Sequence, residues 1–179
     1  MISDDGIENL IRLLGFNDFK WIDPHEIVVS QWVRMKCEFG CDNYAKAATC
    51  PPNTPSVQEC QQFFSEYQHA IVFHFQKAAP VKAERKAWNS RNNLKLIKLE
   101  NDIFMAGYPK AFLLFMAPCG MCAECVPDRA GCKKPELARP TPEGMAVDVF
   151  STVRKIGYPI EVLTDLTQPM NRYAFLMID

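Results

Sequence analysis

The stretches HAIVFHFQ at residues 69–76 and KAFLLFMA at residues 110–117 decide the expected fold. Both are apolar runs of strand length, and they flank a long helical pattern at residues 81–106. A strand, a helix and a second strand at this spacing are typical of a right-handed parallel crossover. We therefore predict an α/β fold, with α+β as the alternative. Its mixed sheet would contain a parallel βαβ crossover, and helices would cover at least one face.

The remaining elements are predicted from helix caps and from hydrophobic periodicity. Helices are expected after the caps Ser3, Thr54 and Thr141. Strands are expected at residues 27–36, 160–163 and 172–178. The strand at 27–36 alternates apolar and polar side chains and would end directly before Cys37, which places the residues after it in a loop.

Seven of the eight cysteines fall into two groups. The first group is Cys37, Cys41 and Cys50; the second is Cys119, Cys122, Cys125 and Cys132, with the pattern Cys-x-x-Cys-x-x-Cys-x₆-Cys. Three cysteines at intervals of three residues favour a four-iron four-sulfur cluster, because one short loop can direct three thiolates at three irons. Zinc more often takes paired ligands from two separate loops.

The spacing leaves the fourth ligand of this cluster open. The simplest assignment uses Cys132. In the alternative, Cys50 is the fourth ligand of the cluster bound by the 119–125 run, and Cys132 is a ligand of the first group. This alternative is suggested by Pro51 directly after Cys50, which resembles the Cys-Pro pair of ferredoxins.

The first group has three thiols, so a second cluster bound there would leave one iron open to water, substrate or another ligand. Cys60 and His74 are the candidates for that fourth ligand. Cys60 lies on the apolar stripe of a predicted helix, and His74 lies within the apolar run 70–75. We therefore expect both residues to be structural.

Disulfides and a zinc site are the two alternative uses of the cysteines. Disulfides are disfavoured because the N-terminus, MISDD, has neither the basic start nor the apolar segment of a signal peptide, which predicts a cytoplasmic protein with reduced thiols. Zinc remains a competitor, since four thiolates bind it well and a cysteine count does not identify a metal.

The cysteine pattern resembles an uncharacterised prokaryotic family of predicted metal-binding proteins. The resemblance rests on Lys36-Cys37-x₃-Cys41-x₈-Cys50-Pro51-Pro52, on the Cys119–Cys132 group, and on Arg139-Pro140 followed by EGMAVDV at residues 143–149. It spans residues 30–165. It implies that the seven grouped cysteines bind metal, and it implies no particular reaction.

Size and charge limit the other classes of function. A chain of 179 residues suggests one domain, residues 1–179, built around the metal site. With 20 basic and 21 acidic side chains, no nucleic-acid partner is expected. No segment has the roughly 20 apolar residues of a membrane helix, so no membrane association is expected.

The predicted helix at 81–106 and its N-terminal flank are rich in basic residues. Residues 77–98 contain seven basic side chains and one acid. A solvated helix face is the ordinary explanation. The functional alternative is a docking surface for an acidic redox partner of the ferredoxin or flavodoxin type.

Three functions are consistent with these observations. The leading hypothesis is an iron–sulfur protein, with one or two four-iron four-sulfur clusters, that transfers single electrons. The second is an enzyme, an iron–sulfur oxidoreductase or a sulfur-handling enzyme, that binds a small substrate at the open iron of the three-cysteine cluster. The third is a zinc-stapled structural or interaction module. No catalytic residue, and no cofactor-binding residue beyond the metal ligands, is identified from the sequence.

Overall fold

The computed structural model describes residues 3–78, 81–165 and 167–179. These residues form five α-helices: α1 (Asp4–Leu13), α2 (Gln31–Gly40), α3 (Val57–Ser65), α4 (Lys82–Met105) and α5 (Val149–Lys155). They also form four strands: β1 (Phe19–Ile22), β2 (Ala70–Lys77), β3 (Phe112–Leu114) and β4 (Met170–Met177). Short 3₁₀ helices span Pro24–Glu26, Pro135–Leu137 and Glu143–Met145.

The four strands form one sheet in the order β1-β2-β4-β3, and every neighbouring pair is antiparallel. The mixed α/β class is confirmed, but the predicted mixed sheet and its parallel crossover are wrong, because every strand pair in the described residues is antiparallel. Helix α4 does connect β2 to β3, yet β4 lies between these two strands and pairs with both. Strand β4 suits this interior position because its apolar residues 173–177 are all buried: their side chains pack on both faces of the sheet, and their backbone pairs with a strand on each side.

Side chains alternate between the two faces of the sheet and form a core on each. One face buries Val72 and Phe175 against residues of α3 and α5, including Cys60 and Val153. The opposite face packs against α1 and α4, with members that include Ile11, Ile71, Phe73, Leu96, Leu99 and Leu176. Helices therefore cover both faces, as the amphipathic patterns of the chain require.

The structure confirms the predicted cap of α1 and places the cap of α3 at a different residue. Ser3 caps α1 as expected, accepting a hydrogen bond from the Gly6 amide at 3.4 Å. Helix α3 begins two residues later than predicted, because Ser56, rather than Thr54, forms a reciprocal capping box with Glu59.

The predicted strand at 27–36 does not form. Residue 29 forms an isolated bridge with Val147, but Gln31 begins helix α2, and Cys37 lies on that helix. The apolar alternation omits position 31, and this interruption marks the change from extended chain to helix.

The prediction of one helix after Thr141 is also wrong. A 3₁₀ turn ends at Ala146, which has a left-handed φ of 58°, and α5 starts afresh after its cap Asp148. Between them the backbone pairs with residues 28–30 instead of continuing a helix: the Asp148 amide donates to Val28 and the Ser30 amide donates to Ala146. The predicted strand at 160–163 does not form, whereas the predicted strand at 172–178 corresponds to β4.

None of the helices in residues 3–78, 81–165 and 167–179 combines the length and the apolar character needed to cross a bilayer.

Candidate metal centre

The first two cysteines of the N-terminal group lie at the end of helix α2. Cys37 is in its last turn and Cys41 follows directly as the C-cap residue. The half-buried thiol of Cys37 donates to the carbonyl oxygen of Glu143 at 3.8 Å, while Cys41 is exposed. A spacing of four residues brings both thiols to the same side of the helix end.

A compact loop returns Cys50 to these two thiols. Ala45 adopts a left-handed φ of 55°, and its amide donates to the carbonyl of Pro51 at 2.9 Å, which closes the loop. The Cys50 amide donates to the Ala47 carbonyl at 3.0 Å. As a result Cys37, Cys41 and Cys50 line one cavity of about 240 Å³.

The second group lies on the long loop that follows β3. Gly120 adopts a left-handed φ of 62°, and the Met121 amide donates to the thiol of Cys119. Helix α4 supports this loop, because Asn93 donates to the carbonyl of Ala117 at 3.2 Å and Ser90 donates to that of Gly120 at 3.4 Å. All four cysteines of the group, Cys119, Cys122, Cys125 and Cys132, line a small space of about 40 Å³.

The two groups meet in one region, which we call the thiol region and define as the seven grouped cysteines. Cys50, Cys119 and Cys125, from both groups, line a third cavity of about 430 Å³ together with Cys122. Asn53 holds the two loops together, since its side-chain amide donates to Ala47 at 3.3 Å and to Pro127, in the second loop, at 2.6 Å. The predicted ligands, far apart in sequence, are thus neighbours.

Burial favours the protonated form of three thiols in this region, because it raises the pKa of Cys37, Cys50 and Cys119. Burial raises the pKa of Cys50 to about 11, and the nearby Cys41 and Cys37 act in the same direction. Burial is also the main reason why the pKa values of Cys37 and Cys119 are raised. A metal that binds here must therefore displace protons.

Cys60 and His74 lie away from the thiol region. Cys60 lies on the buried face of α3, and its thiol donates to the Pro55 carbonyl at 3.6 Å. On β2, the His74 ring nitrogens lie 2.6 Å from an Asp18 oxygen and 2.8 Å from an Asn171 oxygen, and the ring stacks on Tyr173. Both positions agree with the structural roles expected from the sequence.

The donors of the thiol region suit a soft metal or an iron–sulfur cluster. All eight cysteines of the chain lie in the described residues, and all are free thiols. The 40 Å³ space has four cysteines and no carboxylate or histidine among its described lining residues. Thiolates favour zinc, copper(I) and iron–sulfur clusters. Within the described chain, no three His, Cys, Asp or Glu side chains are arranged to hold a single metal ion.

Sequence reasoning missed Arg172 of β4. Its side chain lines both the 240 Å³ and the 430 Å³ cavities, and its buried Nε has no hydrogen-bond partner among the described residues. Burial lowers the pKa of this guanidinium, and Glu143 opposes that effect. The only signal in the sequence was an arginine in an otherwise mostly apolar strand.

A mixed α/β protein in which seven free thiols, from the end of α2 and from two loops, line adjoining cavities has the features of a metal-binding protein. The chain belongs to the family described as predicted metal-binding protein (DUF2284), whose model matches residues 20–178. This finding confirms the resemblance drawn from the cysteine motifs, and metal binding is the property in that description. No curated protein and no solved structure matches the chain.

Proposed function

We propose that this protein binds iron–sulfur clusters and transfers single electrons. Cys119, Cys122, Cys125 and Cys132 would hold one four-iron four-sulfur cluster, and the first cysteine group would hold a second. The main support is the convergence of the two groups, whose members line adjoining cavities. A bound cluster would supply one-electron redox chemistry.

The surroundings of the second group also support a cluster rather than a zinc ion. Zinc bonds to sulfur at about 2.3 Å, so four zinc-bound thiolates must converge on one point. The four cysteines line a space of about 40 Å³, and a polynuclear cluster would take one thiolate on each of its irons there instead of drawing all four to a single ion. Lys134 borders this space, donates to the Met121 carbonyl at 3.0 Å, and would offset the negative charge of a cluster with its thiolates.

Anaerobic reconstitution with iron and sulfide, followed by analysis of both elements, tests this proposal. We expect Cys125→Ser to lose most of the iron and sulfide bound by the second group. Cys60→Ala is the matched control, since it removes the eighth cysteine and should leave the iron and sulfide content unchanged. A protein that takes up stoichiometric zinc and no sulfide would instead be the zinc-stapled module.

A redox partner would approach the start of helix α4. Lys82 and Lys86 are exposed there and line the 430 Å³ cavity beside the thiols. Complementary charge would speed the encounter with an acidic ferredoxin or flavodoxin. Reduction by such a carrier should slow as salt rises and should slow further in Lys86→Glu. The control Lys155→Glu, on the exposed end of α5, should have little effect.

A second candidate function is an enzyme with an open iron in the three-cysteine cluster. It is favoured by the 240 Å³ cavity, which is lined by the three cysteines of the first group. Glu143 is the one acid among the described lining residues of this cavity, and no histidine is among them. Paramagnetic resonance of the reduced protein tests it. A signal that shifts on addition of small ligands, and that survives Cys60→Ala, would support the enzyme; an unresponsive signal would support electron transfer alone.

A further inference from the structure

A single arginine lies across the base of the loop that carries the first cysteine group. The chain leaves α2 at Cys41 and turns back through Cys50. Arg34 of α2 is half-buried at the point where this loop returns. One terminal nitrogen of its guanidinium donates to the Thr54 hydroxyl at 2.8 Å, and the other donates to the Pro55 carbonyl at 2.8 Å. Arg34 therefore joins the two ends of the loop.

The same guanidinium also reaches the segment that contacts Cys37. Its second terminal nitrogen donates to the Gly144 carbonyl at 3.2 Å, and the neighbouring carbonyl of Glu143 accepts from the Cys37 thiol at 3.8 Å. Cys37 and Cys41 follow Arg34 by three and seven residues along α2, so the three side chains lie on the same side of the helix. The arginine therefore fixes the end of α2 that carries these two cysteines.

The geometry of the guanidinium explains why an arginine suits this place. The group is planar and presents its N–H donors in fixed directions, so it holds three acceptors at set positions. Hydrogen bonds from a charged donor are also stronger than those between neutral groups. We infer that Arg34 is a positioning residue for a metal site in the first cysteine group, because it sets how far Cys50 lies from Cys37 and Cys41.

A role in stabilising the fold alone is the competing explanation, and it predicts no effect on a bound metal. Arg34 also carries a positive charge close to the first group: burial and Cys41 raise the pKa of Cys37, and Arg34 acts in the opposite direction. A positive charge beside a cluster favours its reduced, more negative form and so raises its reduction potential. The inference deepens the proposed function and rests on it for the cluster, although retention of metal is measured whichever metal is bound.

Loss of metal to a chelator tests the inference in the full chain with Cys122→Ser and Cys125→Ser, so that the metal retained belongs to the first group. We expect loss about tenfold faster or more in Arg34→Met, because groups that orient metal ligands change affinity by about 10- to 100-fold. Arg34→Lys keeps the charge but cannot contact all three acceptors, so it should lose metal almost as fast as Arg34→Met. Thr54→Val removes one contact and should have a smaller effect in the same direction; it carries the same test if Arg34→Met fails to fold.

The reduction potential of the first-group cluster separates positioning from a role in the fold alone. It should become more negative in Arg34→Met and stay close to the wild-type value in Arg34→Lys, because only Arg34→Met loses the positive charge. Arg154→Met is the matched control. Arg154 of α5 also donates to a backbone carbonyl, that of Ile160 at 3.0 Å, but it lines none of the three cavities beside the thiols. This control should match the wild type in metal retention and in potential.

Unchanged metal retention in Arg34→Met would overturn the inference, as would an unchanged potential, full recovery of retention in Arg34→Lys, or a first group that binds no metal. Iron, sulfide and zinc are measured on the same samples. Zinc that is retained with Arg34 and lost quickly without it would refute the iron–sulfur proposal alone. An iron–sulfur cluster that is retained equally well without Arg34 would refute the positioning role alone.

Discussion

Arg139 and Glu100 form a largely buried ion pair that anchors the end of the second cysteine loop. The Nε of Arg139 lies 3.0 Å from both carboxylate oxygens of Glu100, and a terminal nitrogen lies 2.9 Å from one of them. The side chains are 23% and 7% exposed. Glu100 also accepts from the Leu113 amide at 2.9 Å, so the pair joins the loop to α4 and β3.

We predict that Arg139→Leu lowers the free energy of unfolding by about 3–5 kcal/mol, because it leaves the Glu100 carboxylate buried without its cation. The double variant that also contains Glu100→Leu should be more stable than Arg139→Leu alone, because no unpaired charge remains buried. The matched control is Arg12→Leu. It breaks the pair with Glu8, whose members are 54% and 32% exposed, and should cost only about 0.3–0.5 kcal/mol.

Urea unfolding of the reduced, metal-free protein, followed by circular dichroism, measures these differences. The denaturant slopes should agree among the variants, so that shifts in midpoint report stability. A loss below about 1 kcal/mol in Arg139→Leu would refute the reasoning from charge burial. So would a double variant less stable than Arg139→Leu, because the unpaired carboxylate would then not be the source of the cost.

Three further predictions concern the loops and the thiols. Asn53→Ala removes the side-chain link between the two cysteine loops, and we expect faster loss of bound metal to a chelator; an unchanged rate would mean that the link is unimportant. Metal uptake should weaken as pH falls, because burial raises the pKa of Cys50 to about 11 and protons compete with the metal. Proton release on metal addition to weakly buffered protein measures this effect, and uptake independent of pH would contradict it. Ser56→Ala removes the capping box of α3 and should cost about 0.5–2 kcal/mol in urea unfolding; Ser65→Ala, at the other end of the helix, is the control.

Helix caps and hydrophobic periodicity predicted the helices and strands that are specified by residues close together in the sequence. Ser3 and the apolar period that follows it specified α1, and the apolar run at 69–76 corresponds to β2. Helix α4 was predicted within one residue at each end. Strand β1 was missed, because its four residues have a weak pattern and are ordered by pairing with β2.

The errors arose where tertiary contacts override local preference. Residues 146–148 pair with residues 28–30, which breaks the helix that the periodicity predicted. Strand β4 separates β2 from β3, and no feature near these two strands reveals that a segment more than fifty residues later would pair with both. Strand order depends on which apolar surfaces meet, and adjacent residues do not encode it.

The amino-acid sequence by itself determined that the protein has two sets of closely spaced thiols, since spacing is a covalent property that folding does not change. It also determined the family, which is recognised from the same motifs. Only the tertiary structure decided that the two sets adjoin and that Arg172 lies beside both. The physical reason is that β4 and the two loops meet only when the strands pair and the helices pack on the two faces of the sheet, which joins β4 to a loop more than a hundred positions earlier in the chain.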